Sequence, residues 1–430
     1  MNLGMTIDSS WNVSLKTDVP EAFSEKAAFV PDAIFVDLQI KLMQPVLETT
    51  ETWDAYIGRV YESYIRRCFA SASTVIIAFD DYTHVPLAKS MTQQKRRRNI
   101  PQIDFSDRDV LPPVVPSKDD WVRCMANRTF KTRLIHLITY TLGKRALHDL
   151  SPNQTLVIDW CHPPLAFRVG ATDAEPLTSL APLGESDVKF LRYGDMFGNL
   201  QVDSVDGDCV PLALLHMEAG FKGNVSIYHL ETKVDNPTRK RLVTGEPAPS
   251  AKPKRTYEHI NIRRLYDGIL KRVVPRNNPL PGHEISMIVS LIGLSGSDFT
   301  RSLPQVSGKT LYEYLPEIWG RLAQVYNPDE KALNVDLVAD RLVSKIYSLK
   351  FGKHCMVGRD GHSYSDVVRQ IRASKLSQRT KDAIPSHEVV NCNARNVNWL
   401  LAYWTLHSYP DPMQPMYGFA RRGGGVCHDD

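Results

Sequence analysis

The chain has 430 residues, 43% of them hydrophobic and 23% charged, with a formal net charge of +4. This is an ordinary balance for a globular protein of two or three domains, or of one large domain with additions. No apolar stretch is long enough to span a bilayer, and the start "MNLGMTIDSSWNVSLKTDVPEAF" lacks the basic-then-apolar pattern of a secretory signal. Seven scattered cysteines with no CxxC pair predict free thiols in a reducing compartment. The net charge does not by itself call for nucleic acid. Its distribution is more informative, because "KSMTQQKRRR" (89–98) and "TRKRLVTGEPAPSAKPKR" (238–255) are locally basic.

In chain order, residues 1–29 precede the first strand signal, "DAIFVD" (32–37), a short apolar run. "WDAYIGRVYESYIRRCFASA" (53–72) has helical spacing. "TVIIAFDD" (74–81) reads as a second strand, and the basic run from Lys89 as a helix. "IPQIDFSDRDVLPPVVPS" is a loop by its Pro and Asp content, and "WVRCMANRTFKTRLIHLITYTLGKRAL" one long helix. "TLVIDW" (155–160) is a third strand, followed by a long Pro-rich connection to a helix starting near Glu185. "LQVDSV" and "NVSIYHLE" are two further strands. A basic Pro-containing loop (236–256) follows. From "HINIRRLYDGIL" onward the pattern is helical, through 257–320 and a C-terminal extension (321–430) ending in a loose tail. Its aromatic stretch "NWLLAYWTLHSY" reads as core, and the terminal "CHDD" as disordered tail rather than a metal site. Strands alternating with helices predict an α/β fold with a mainly parallel central sheet.

In such sheets ligands bind beyond the carboxyl ends of the strands. Three strands here end in acids: Asp37, Asp80, and the pair Asp206 and Asp208 in "QVDSVDGDCVPLAL". That turn alone could be solvated, and it does not fit an EF-hand. Converging carboxylates would repel one another by several kcal/mol without cations. Hard divalent ions such as Mg²⁺ remove that cost, and a pair of them suits phosphoryl displacement. Glu185 and Asp187 in "GESD" open a helix beside this set, although N-terminal capping accounts for acids there equally well. Asp159 and the pair in "TDAEP" are rival candidates. Asp298 lies in "IGLSGSDFT", just before a turn where Ser307, Gly308 and Lys309 open a helix whose N–H groups could hold a phosphate. That turn is not a Walker A loop, because Leu303 stands where the first glycine is required. An ATPase is excluded on that ground.

Taken together, these motifs resemble the flap endonuclease family, structure-specific 5′ nucleases with a PIN-like core. The resemblance covers roughly residues 30–320. "IIAFDD" is similar to the family's "VFDG", "ESD" to its E-x-E pair, "DGD" to its D-x-D, and "GSDF" to its final aspartate motif, all in the family's order. The chain departs from the pattern in lacking the N-terminal "MG-I-x-G-L", in the long region 85–184 where the family has its helical arch, and in having Asp at the second position of the E-x-E pair.

The resemblance implies a PIN-like core over 30–235, a helix–turn–helix DNA-binding element within 257–320, and two Mg²⁺ ions, replaceable by Mn²⁺. Asp37, Asp80, Glu185 and Asp187 would serve one ion, and Asp206, Asp208 and Asp298 the other. Lys89 and Arg96, seven residues apart and so on one helix face, would hold the scissile phosphate, with Arg97 or Arg98 as substitutes. The same basic run also reads as a solvated face. Ser307, Gly308 and Lys309 would grip duplex backbone, where the family often binds K⁺, and Arg239, Lys240 and Arg241 would add phosphate contacts. The expected partner is branched or single-strand-containing DNA, with no membrane, and with 321–430 available to a protein partner. The expected location is intracellular, nuclear or at a viral replication site, with the cytoplasm as the other option. Two other expectations stand beside this one: an RNA-cleaving PIN-like nuclease, and a non-catalytic scaffold that binds nucleic acid or protein.

Overall fold

The computed structural model describes residues 10–42, 52–81, 111–180, 182–204, 206–233, 254–296, 300, 302–352, 363–406, 419–422 and 425–428. Nine strands form one sheet: β1 (Phe23–Ser24), β2 (Ala33–Asp37), β3 (Thr74–Ala78), β4 (Thr155–Asp159), β5 (Leu165–Arg168), β6 (Glu175–Pro176), β7 (Asn199–Asp203), β8 (Asn224–Lys233) and β9 (Lys254–Asn261). Their order is β1-β9-β8-β7-β2-β3-β4-β5-β6. The five central strands from β8 to β4 are parallel, and the outer strands on both sides are antiparallel. The protein is therefore α/β, with helices on both faces of a mixed sheet whose centre is parallel.

β2 and β3 read as unbroken apolar runs because both of their faces are covered. Ile34, Val36, Val75 and Ile77 pack with Phe130, Leu134, Ile138 and Leu142 of the helix Arg128–Asp149, and with Trp121 of the helix Lys118–Ala126. Ala33, Phe35, Ile76 and Ala78 belong to the opposite cluster, with the helices Ser186–Gly194, Cys209–Glu218, Glu284–Leu294 and Gly308–Val325. That second cluster is continuous with Trp399, Tyr403 and Trp404 of the helix His387–Leu406, so the aromatic stretch near the C-terminus is core, as expected. It also takes in Trp11 and Leu15 of the helix Ser10–Asp18, where Trp11 meets Tyr312 edge-on at 5.3 Å. Among the described residues no helix is long and apolar enough to cross a membrane.

Several elements differ from the sequence expectation. The helix expected to run unbroken through 121–147 is two helices, because Asn127 adopts an extended backbone and its side chain accepts the N–H of Phe130 at 3.1 Å, capping the second. The Pro-rich connection after Trp160 contains β5 and β6, strands of four and two residues that are too short for a periodic signal. His259–Asn261 belong to β9 rather than to a helix, which starts at Ile262 under the side-chain cap of Asn261. Near the C-terminus Phe419–Arg422 pairs antiparallel with Gly425–His428, so Cys427 and His428 lie in a strand rather than in a disordered tail.

The order β8-β7-β2-β3-β4 fixes where a ligand can bind. From β2 the chain goes to β3 and β4 on one side, and later through β7 to β8 on the other. The point where the strand order reverses therefore lies between β2 and β7, and in such sheets ligands bind there, beyond the carboxyl ends.

Candidate active site: a carboxylate cluster at the strand switch point

Asp37 is the last residue of β2. Asp80 follows the end of β3 by two residues, and Asp206 and Asp208 lie just beyond β7. Glu185 is the N-cap of the helix Ser186–Gly194, with Asp187 in its first turn. Asp37, Glu185, Asp187 and Asp208 are 2%, 1%, 9% and 5% exposed, so these acids are shielded from bulk water.

Backbone bonds sew the loops together. The Asp81 N–H donates to the Gly184 carbonyl at 2.6 Å, and the Ser186 N–H donates to Asp80 Oδ1 at 3.2 Å. These two contacts tie the end of β3 to the start of the next helix and set Asp80 beside Glu185 and Asp187. On the β7 side the Ser204 hydroxyl donates to Asp37 Oδ2 at 3.4 Å and accepts the Asp206 N–H at 3.1 Å. Asp206 Oδ1 in turn accepts the Asp208 N–H at 3.0 Å, closing a tight turn into the helix Cys209–Glu218. Two helix N-termini thus open at the cluster, and their exposed N–H dipoles offset part of its negative charge.

The electrostatics show which acids share one space. Burial first, and then the nearby charges of Asp187, Asp80 and Asp206, together push the Asp37 carboxyl up to about 7. Burial also raises the Cys209 thiol well above its usual value, again with Asp206 and Asp187 contributing. Asp80, Asp187 and Asp206 are therefore each near enough to Asp37 to repel it. Glu185 and Asp208 are buried on the same loops.

The other acids have different roles. Asp159, at the end of β4, forms an ion pair with Lys189 Nζ at 3.0 Å, pairs with Arg192, and accepts the Tyr193 hydroxyl at 2.8 Å. It is thereby committed to a structural network and is no ligand candidate. Asp203 pairs with Lys41 at 2.7 Å and Arg67 at 3.4 Å, so it too is committed to structural ion pairs. Glu175 of "TDAEP" sits on β6 and pairs with Arg168 at the surface. Sequence reasoning missed Ser186, Ser204 and Lys189, which hold the loops. Only the i, i+4 spacing of Lys189 from Glu185 hinted that it shares that helix face.

Ser307 caps the helix Gly308–Val325 by accepting the Thr310 N–H at 3.2 Å. Lys309 is exposed, with Nζ 3.8 Å from Glu313. The preceding helix Glu284–Leu294 ends at Gly296, whose φ of +107° and contact with Ser302 suit only glycine. Asp298, Lys89, Arg96, Arg97, Arg98, Arg239, Lys240 and Arg241 lie outside the described residues.

Among the described residues no three His, Cys, Asp or Glu side chains stand together closely enough to hold a metal ion. The donor chemistry of the cluster nevertheless fits a hard divalent cation. All of its groups are carboxylates, Asp37, Glu185, Asp187 and Asp208 buried and Asp80 and Asp206 half-buried, and Asp37 is repelled by three of the others, which a cation would relieve. Mg²⁺ usually keeps several waters and needs only one or two direct carboxylates.

This arrangement predicts a pH dependence. A carboxyl whose folded value is about 7 against 3.8 in a free chain destabilises the fold once ionised. The penalty is absent below about pH 4, grows as pH rises, and is complete above about pH 7. Urea denaturation should therefore show a larger stabilisation by Mg²⁺ at pH 8 than at pH 5. Equal shifts at the two pH values would contradict the link between the cluster and the ion.

No protein-family model matches this chain, and no curated protein is similar to it in sequence.

Proposed function

We propose that the protein is a divalent-metal-dependent nuclease with a PIN-like core, of the flap endonuclease type, acting on branched or single-strand-containing DNA in replication, repair or recombination. The observation that carries this reading is the convergence of Asp37, Asp80, Asp187 and Asp206 at the strand switch point, close enough that Asp37 feels the other three charges. Carboxylates grouped at a partly buried strand-end site, with one pushed up by its neighbours, are what a cation-binding centre provides.

In this reading Asp37, Asp80, Glu185 and Asp187 would hold one Mg²⁺ region, and Asp206, Asp208 and Asp298 the other. The ions, when bound, lower the pKa of an attacking water and offset charge that develops on the phosphate. Asp80, anchored by the Ser186 N–H, fixes the β3 side of the site. Asp206 and Asp208, locked in their turn, fix the β7 side. The buried walls exclude bulk water and so strengthen every charge interaction within. Lys89 and Arg96 would orient the scissile phosphate diester. Ser307, Gly308 and Lys309, with K⁺ as an added ion, and Arg239, Lys240 and Arg241 would hold backbone phosphates without reading sequence.

The test is cleavage of end-labelled 5′-flap, single-stranded and duplex DNA, with matched RNA, in Mg²⁺, Mn²⁺ or EDTA. Metal-dependent cleavage of the flap and single-stranded DNA is expected. Cleavage of RNA alone would move the assignment to a ribonuclease. No cleavage of any substrate, together with no calorimetric binding of Mg²⁺ or Mn²⁺, would favour a non-catalytic scaffold.

A further inference from the structure

We propose that the outer face of the helix Arg128–Asp149 is a track for single-stranded nucleic acid that leads away from the carboxylate edge. This inference rests on the nuclease reading. The sequence of the helix carries five lysines and arginines against a single acid. Its inner face, with Leu134, Ile138 and Leu142, is sealed against the sheet. Arg133, His136, Tyr140 and Lys144 recur at intervals of three and four residues and so share the outer face.

Two features of that face suit bases and phosphates together. Tyr140 is 61% exposed, an unusual position for a large ring, and Lys144 Nζ lies 4.3 Å from its centroid. An exposed ring with a cation at its face is what stacks a base while pairing the adjoining phosphate. Nearer the site, the His136 ring meets Trp160 at 4.4 Å. Trp160 directly follows Asp159, the last residue of β4, and so belongs to the same carboxyl edge as the acid cluster. From His136 to Lys144 the helix rises about 12 Å away from that edge. A polyanion is favoured over an acidic peptide because the face offers an exposed flat ring beside the Lys144 cation, and every base has a π-face to stack.

The test is fluorescence anisotropy of the full-length chain with labelled oligothymidine, oligouridine and a duplex of equal length, all in EDTA so that binding is read without cleavage. Tyr140→Ala should weaken both single strands roughly 5- to 100-fold and leave the duplex unchanged. Tyr140→Phe, which keeps the ring, should bind like wild type. Lys144→Ala should lower affinity and reduce the salt slope by about one. Because both side chains are on the outer face, the melting temperature serves as a control that should not move. Wild-type binding by Tyr140→Ala, or an equal loss on duplex, overturns the track. A chain that shows Tyr140-dependent binding but no metal-dependent cleavage keeps the track and overturns the nuclease reading. A preference between the two oligomers identifies whether the bound strand is DNA or RNA.

Discussion

Asp37→Asn should make the metal-free protein more stable and, in the same molecule, remove most of its proposed cleavage activity. Asparagine has nearly the shape of aspartate and carries no charge, so it spares the buried end of β2 from the repulsion of Asp80, Asp187 and Asp206. With the carboxyl raised from 3.8 to about 7, the penalty removed at pH 8 is on the order of 2–4 kcal/mol. The gain should vanish by pH 4, where the wild-type carboxyl is itself protonated. Activity should fall by more than roughly 100-fold, the upper end of what loss of a group behind a metal ligand costs. Chemical denaturation in EDTA at both pH values, alongside a cleavage assay in Mg²⁺, reads the two effects together. A variant that loses stability at pH 8, or that keeps wild-type activity, would remove Asp37 from the site. A residue that costs stability and is needed for activity is the signature of a functional group.

Asp159→Asn should do the opposite: it should cost about 3–5 kcal/mol and leave the metal response of the remaining folded protein intact. Burial alone would push the Asp159 carboxyl up, but Lys189 and Arg192 hold it below its usual value. Lys189 is itself buried and also donates to the Phe79 carbonyl at 2.7 Å and the Asp159 carbonyl at 3.1 Å. Removing the acid strands two buried cations. Lys189→Met should also be destabilising, and the double variant Asp159→Asn/Lys189→Met should lose less than the sum of the two single losses. Additive losses would show that the ion pair is not coupled. Asp37 and Asp159 both end a parallel strand of the same sheet, so the contrast between them separates a site acid from a structural one.

Much of this arrangement was legible in the sequence. The apolar runs at 33–37, 74–78 and 155–159 announced parallel strands because covering both faces of a sheet requires apolar residues on both. The acids that close those runs marked the carboxyl edge of the sheet as the place to look for a site. The "ESD" and "DGD" segments were readable because capping and turn formation depend on local spacing. What was not readable follows from short or conditional elements. β5 and β6 hold too few residues for a period to appear, and Asn127 breaks a helix only because its side chain finds the Phe130 N–H. His259 lies in β9 because β8 offers it a partner strand, a non-local cause.

By itself the sequence determined the strand and helix content of the core and the acids available at its carboxyl edge, since both are set by residue type and near neighbours along the chain. Tertiary structure alone decided which acids act as a group. The reversal of strand order between β2 and β7 draws Asp37 and Asp206 to one edge, and the Asp81–Gly184 and Ser186–Asp80 bonds bring the β3 loop against the helix that carries Glu185 and Asp187. Asp159 and Asp203 look the same in sequence, and only the arrival of Lys189, Arg192, Lys41 and Arg67 from distant segments neutralises them. A carboxylate's role depends on the charges within a few ångströms of it, and chain folding, not residue type, chooses those neighbours.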